Sequence, residues 1–205
     1  MSEALLKNRD YTIILARNAS RNAPALPGIE KQWLVAQNSI ITLANKCEEF
    51  DSDGLSIYVA SNPIQKYEQQ TSEALAELLQ KPYSSETINL VGALKASLDN
   101  YFNRKATGQT KEKGEIIIVL LDKEPKERMA VVKLLVEATQ KMDNEEELGI
   151  MFAQVGDDLI TRGFLAALDD DLSRAGAKFD IADTQVLKEM EESAISEFLL
   201  NALYD

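Results

Sequence analysis

The chain has 205 residues, 45% of them hydrophobic, which suits a globular protein with a buried core and argues against disorder. Its formal net charge of -12 repels phosphate backbones and anionic lipid, so nucleic-acid binding is not expected. The longest aliphatic run, Ile116 to Leu121, is too short to cross a bilayer, so membrane insertion is not expected either. There is no histidine and only one cysteine, Cys47. Ser-His and Cys-His nucleophile pairs, histidine-ligated metals and thiolate clusters are thereby excluded. The opening MSEALLKNRD lacks an apolar signal core, and a lone cysteine suits a reducing compartment, so a cytoplasmic location is expected.

Strand-like and helix-like stretches alternate along the chain. Tyr11 to Leu15 reads as a short strand, followed by the loop Ala16-Arg17-Asn18-Ala19-Ser20. After Pro24 to Gly28, residues Trp33, Ala36, Ile40, Leu43, Ala44 and Cys47 fall on one face of a helix. Cys47 is thus expected in the core. The turn Asp51-Ser52-Asp53-Gly54 leads into a strand over Leu55 to Ala60. Ile64 to Tyr67 reads as an edge strand and Ser72 to Gln80 as a short helix. A loop then opens a helix with Leu90, Leu94, Leu98 and Tyr101 on one side. Thr107 to Gly114 reads as an exposed connection.

Glu115 to Leu121 is an unbroken β-branched and aliphatic run, the signature of a central parallel strand covered on both faces. Pro125 is expected to open a helix with Val131, Leu134, Leu135, Ala138 and Met142 on its apolar side. Leu148 to Val155 reads as a strand, Phe164 to Leu172 as a helix and Lys178 to Ala182 as a last strand. Helical sequence follows from about Thr184, with a break near Glu192 and Ser193. The clusters Glu145-Glu146-Glu147 and Asp169-Asp170-Asp171 read as solvated surface. The alternation predicts one domain over residues 1–205, with a doubly wound parallel sheet and helices on both faces.

In such sheets ligands sit beyond the carboxyl ends of the strands, where strand order reverses. The loops there are Ala16 to Ser20 and Asp122-Lys123-Glu124-Pro125. Neither is a glycine-rich phosphate cradle, and the sequence contains no GxGxxG or GxxxxGK[ST].

The stretches RDYTIIL, NYFNRKATGQTKEKGE, KMDNEEELGIMFAQVGDD, FLAALDDDLSRAGAKFDI and LLNAL, in this order and spacing, resemble the von Willebrand factor A (vWA) domain family. The likeness is to its stand-alone bacterial, especially cyanobacterial, members. The resemblance implies a Rossmann-like, mainly parallel six-stranded α/β sheet of order 3-2-1-4-5-6, with the third strand an antiparallel edge. It also implies a place to look for a metal-ion-dependent adhesion site. Family members with a working site carry Asp-x-Ser-x-Ser after the first strand, a threonine from a second loop and an aspartate after the central strand. These hold Mg²⁺ or Mn²⁺, and an acidic residue of the partner fills the open position. The matching residues here are Ala16, Asn18, Ser20, Ile88 and Asp122, and Lys123 replaces the glycine usual after that aspartate.

Ala16 removes a carboxylate and Ile88 replaces a hydroxyl with an apolar group, so no metal or other cofactor is expected. One carboxylate holds Mg²⁺ weakly, and Arg17 and Lys123 add positive charge. If either turns inward, Asp122 is neutralised without an ion. Asp122 is then either a structural cap bonded to loop amides or to Ser20, or the anchor of a residual ion site with Asn18 and Ser20. The expected function is non-enzymatic protein binding without a divalent metal. The partner is another protein, with an acidic contact residue or itself a vWA relative, and the contact surface is the rim formed by Arg17, Asn18, Arg21, Asn22, Tyr83, Lys123 and Lys126. Two alternatives are residual metal-dependent adhesion through Asn18, Ser20 and Asp122, and a silent subunit paired with a metal-competent relative through the edge strand or the C-terminal helix. An enzyme would have to rely on Asp122, Lys123 and Glu124, and is not expected.

Overall fold

A computed structural model describes residues 3–18, 29–81, 88–187 and 192–203. Six strands form one sheet: β1 (Asp10–Ala16), β2 (Leu55–Val59), β3 (Gln65–Gln70), β4 (Glu115–Leu121), β5 (Leu148–Val155) and β6 (Ala182–Leu187). Their order is β3-β2-β1-β4-β5-β6, parallel except for β3, which runs antiparallel to β2. Among the described residues six α-helices accompany them: α1 (Ile29–Phe50), α2 (Ser72–Gln80), α3 (Leu90–Ala106), α4 (Arg128–Thr139), α5 (Leu159–Asp171) and α6 (Glu192–Asn201). The strand order, the antiparallel edge and the two-sided helical cover are those of a vWA-like fold. None of the described helices is long and apolar enough to cross a membrane.

Strand periodicity builds two cores. On β1, Tyr11, Ile13 and Leu15 face a cluster closed by α1, α2 and α6, while Ile14 and Ala16 face one closed by α3, α4 and α5. β4 alternates likewise: Ile116, Ile118 and Leu120 on one side, Ile117, Val119 and Leu121 on the other. All seven residues of β4 are buried, as expected of a central strand with helices on both faces. The apolar stripe of α1, from Trp33 to Cys47, is buried, and burial pushes the Cys47 thiol well above its usual range. The apolar face of α6 (Ile195, Phe198 and Leu199) is buried in the first core, which uses up a surface the sequence offered for assembly.

Four expectations need correction. The last strand is Ala182–Leu187, not Lys178 to Ala182, so residues 184–187, expected as helix, are extended. Pairing with β5 from Ile150↔Ala182 to Val155↔Leu187 sets the conformation there. Lys178 instead anchors the approach, its amide donating to Thr139 Oγ1 (2.9 Å) and its Nζ to Met142 O (2.8 Å). α4 begins at Arg128, three residues after Pro125. The intervening loop is held to α5, where the Glu124 amide donates to Thr161 Oγ1 at 2.9 Å. The edge strand covers Gln65–Gln70, not Ile64 to Tyr67. The acidic triplet 145–147 is not all solvated surface: Glu147 is buried, accepting from Lys105 Nζ (2.5 Å) and from the Asp143 amide (3.1 Å).

At the amino end of the sheet lies a charged network. Arg104 of α3 pairs with Asp10 and with the fully buried Glu115, which also accepts from Thr12 Oγ1 at 2.6 Å. Beside it, Lys111 pairs with the buried Asp51, and with Asp53 (3.2 Å) and Asp10 (3.5 Å). Lys111 thus fixes the Thr107 to Gly114 connection against the Asp51 to Gly54 turn. Gly54 sits there at φ +91, a left-handed conformation that a side chain resists.

Candidate functional site at the carboxyl edge of the sheet

Asp122 follows β4 directly and is buried. Its Oδ2 accepts the Trp33 Nε1–H from α1 at 2.8 Å, and the Asn18 backbone N–H lies 3.1 Å from both carboxylate oxygens. The loop after β1, the loop after β4 and the first turns of α1 are thereby tied at one point. Burial pushes the Asp122 carboxyl up from its ordinary value. The Trp33 and Asn18 hydrogen bonds and the charge of Arg17 oppose that shift by favouring the carboxylate.

Of the two cations in these loops, Arg17 is the one that turns inward. Its guanidinium lies 5.8 Å from the Trp33 ring centroid and donates to Leu79 O, the last turn of α2, at 3.1 Å. Lys123 is exposed, and its charge acts on Asp158 across the loop after β5. Asn18 contributes its backbone N–H to the site.

Ala16 and Ile88 belong to the second apolar core. Ala16 is buried there with Ala60 and Leu90, and Ile88 packs against the same cluster, partly buried. Asn89, next to Ile88, caps α3 by accepting the Gly92 N–H at 2.9 Å, and its own amide donates to Ala60 O at 2.9 Å. The second loop is therefore a helix start whose preceding residue extends the core. Ser20 and Arg21, and with them Asn22 and Tyr83, lie outside the described residues.

A divalent ion needs converging oxygens, and the described residues do not offer them. Ala16 has no side-chain ligand, Ile88 brings apolar carbons, and Asp122 is engaged by N–H donors. No group of three or more Asp, Glu or Cys side chains among the described residues is placed to hold a metal ion.

Sequence reasoning took Trp33 as a core residue only and missed its hydrogen bond to Asp122. The available signal was the general rule that a buried tryptophan N–H finds an acceptor. The loop after β5 was also missed. Gln32 Nε2 donates to Asp157 Oδ1 at 3.1 Å, joining α1 to that loop. Asp158 caps α5, accepting from Thr161 Oγ1 at 2.6 Å and from the Thr161 amide at 2.8 Å, and these bonds hold its carboxyl below the usual range.

No family model matches the sequence, and no curated protein is significantly similar to it. Solved structures do share the fold. The protein BatB from Bacteroides thetaiotaomicron is 13% identical with a TM-score of 0.54, over 96% of this chain and 100% of that one. Proximal thread matrix protein 1 from the mussel byssus is 14% identical with a TM-score of 0.53, over 96% of this chain and 47% of that one. A variant of the PilB minor pilin from Streptococcus sanguinis is 7% identical with a TM-score of 0.50, over 95% of this chain and 60% of that one. The chain thus spans about half of the mussel chain, 60% of the pilin chain and all of the solved BatB chain. At these identities the likeness is one of fold.

Proposed function

We propose that this chain is a metal-independent protein-interaction module, related to the stand-alone bacterial vWA proteins and carrying a degenerate adhesion site. The observation that supports this most is the state of Asp122. Its carboxylate accepts the Trp33 Nε1–H and the Asn18 backbone N–H, which supports a structural role for it. Charge-assisted hydrogen bonds of this kind satisfy a buried carboxylate without an ion. In this reading the vWA scaffold keeps its carboxyl-edge loops as a contact surface and has exchanged the ion for protein donors. The partner is another protein, the chain acts as a scaffold or assembly component in the cytoplasm, and no catalytic step is assigned to it.

Affinity capture from the native cell, with and without chelator, tests the proposal. A partner retained in excess EDTA and lost on substitution of carboxyl-edge residues supports it. A partner released by EDTA and restored by Mg²⁺ or Mn²⁺ contradicts it and returns the function to ion-dependent adhesion.

A further inference from the structure

β3 ends the sheet, and no described strand pairs with its outer side. The ladder fixes which of its backbone groups face that side. The Ala60 amide donates to Leu15 O, so alternation along β2 turns the backbone groups of Ile57 and Val59 towards β3. Their partners Tyr67 and Gln65 therefore turn theirs towards β2. The N–H and C=O of Lys66, between them, point outward. Those of Glu68 follow the same alternation, and its carbonyl accepts the Gln70 side-chain amide at 2.6 Å. Beyond Glu68 the register shifts and Gln69 adopts φ +53, so the regular open edge is confined to Gln65 to Glu68.

An open edge pairs with an extended chain through its backbone, and the side chains choose which chain. From Asn62 to Thr71 the only charged residues are Lys66 and Glu68, so the edge carries one charge of each sign. Both are exposed, and they form an ion pair on one face of the sheet. Lys66 Nζ lies 5.7 Å from the ring centroid of Tyr58, a residue of the second core. α2, with Glu73 and Glu77, packs on the opposite face through Leu75 in the first core.

A two-fold axis would pair β3 of one copy antiparallel to β3 of another. Outward residues must then oppose outward residues, so the axis passes through Lys66, Tyr67 or Glu68. An axis at Lys66 sets two lysines opposite each other, and one at Glu68 sets two glutamates so, both destabilising. An axis at Tyr67 sets Lys66 of each copy opposite Glu68 of the other and brings the two tyrosines face to face. The net charge of -12 on each copy opposes association, but charges more than about 8 Å apart are largely screened at physiological salt.

We infer that β3 is a self-pairing edge, through which two copies of this chain join their sheets with Lys66 opposite Glu68 across an axis at Tyr67. The pairing is independent of Asp122 and of any ion. In the joined sheet the two carboxyl edges point in opposite directions, so each copy keeps that surface for the proposed partner. An edge this short makes a weak, concentration-dependent dimer.

Sedimentation equilibrium of the full chain from about 10 µM to about 1 mM tests the inference. The wild type should pass from monomer towards dimer. Lys66→Glu sets carboxylates opposite each other, and Glu68→Lys sets ammonium groups so; each should weaken dimerisation about tenfold or more. An equimolar mixture of these two variants restores both opposite-charge pairs at the total charge of two wild-type copies. It should dimerise within about threefold of the wild type, a recovery that also shows both variants to be folded. Amide hydrogen exchange at Lys66 and Glu68 should slow as concentration rises, while Tyr67, facing β2, should not change.

A wild type that stays monomeric at about 1 mM would overturn the inference. So would variants that dimerise as the wild type does, or a mixture no tighter than its components. Open-ended assembly would also overturn it, because that would pair β3 with the other end strand, β6.

Discussion

Trp33 donates its indole N–H to Asp122 across 2.8 Å, joining two residues 89 positions apart in the chain. The bond places a donor from α1 on the carboxylate that follows the central strand. It ties α1 to the loop after β4 at the carboxyl edge of the sheet.

Replacing Trp33 by phenylalanine keeps an aromatic ring at the site but trims the indole and removes the N–H. A hydrogen bond to a charged group contributes roughly 1.5–3 kcal/mol, so Trp33→Phe should destabilise the chain by about that amount. Urea unfolding followed by circular dichroism measures it, since Trp33 is the sole tryptophan and its emission disappears with the substitution. The added cost of Asp122→Asn should be smaller in the Trp33→Phe background than alone. Strict additivity would show that the two residues are not coupled.

Glu115 should make the chain less stable as pH rises through neutrality. Burial, opposed by Arg104 and Thr12, raises its carboxyl from 4.5 to about 7. The folded chain then holds a proton that the unfolded chain has already released, so this stabilisation is full below about pH 4.5 and is lost as pH rises through about 7. The whole effect is on the order of 3 kcal/mol. With no histidine in the sequence, few other groups titrate in this window. Urea midpoints at pH 5 and pH 8 should differ in the wild type and converge in Glu115→Gln. An unchanged difference in the variant would assign the slope elsewhere.

Lys111→Met should be costly for a residue on a surface connection. It leaves the buried Asp51 carboxylate without its cation, a loss of roughly 3 kcal/mol or more when one partner of a buried pair is removed. Adding Asp51→Asn should recover a good part of that loss, because the stranded charge is gone. Thermal unfolding of the two single variants and the double variant reads this directly. A double variant as unstable as the sum of the singles would contradict it.

Much of the fold was legible because its signals are local. β4 reads as a buried central strand from seven consecutive residues, and the spacing of Trp33 to Cys47 identifies the buried face of α1. The last strand was misread because its conformation is decided by the open edge of β5, and Asp183 to Leu187 carries no strong preference of its own. The start of α4 was misplaced because Pro125 is a permissible first helical residue, whereas the bond from the Glu124 amide to Thr161 holds the loop open for three more positions.

The candidate site was half legible. That Ala16 and Ile88 carry no oxygen ligand in their side chains can be read from the residues themselves. The bond from Trp33 to Asp122 cannot, because a tryptophan on the core face of a helix looks the same in sequence whether its N–H meets a backbone carbonyl or a carboxylate from a distant loop.

In the proposed reading Asp122, held by Trp33 and Asn18, grips no divalent ion. An electron paramagnetic resonance titration of the full chain with Mn²⁺ decides the point. The free-ion signal should persist at millimolar Mn²⁺, with Trp33 emission unchanged. Stoichiometric loss of that signal, abolished by Asp122→Asn and accompanied by a shift in Trp33 emission, would contradict it.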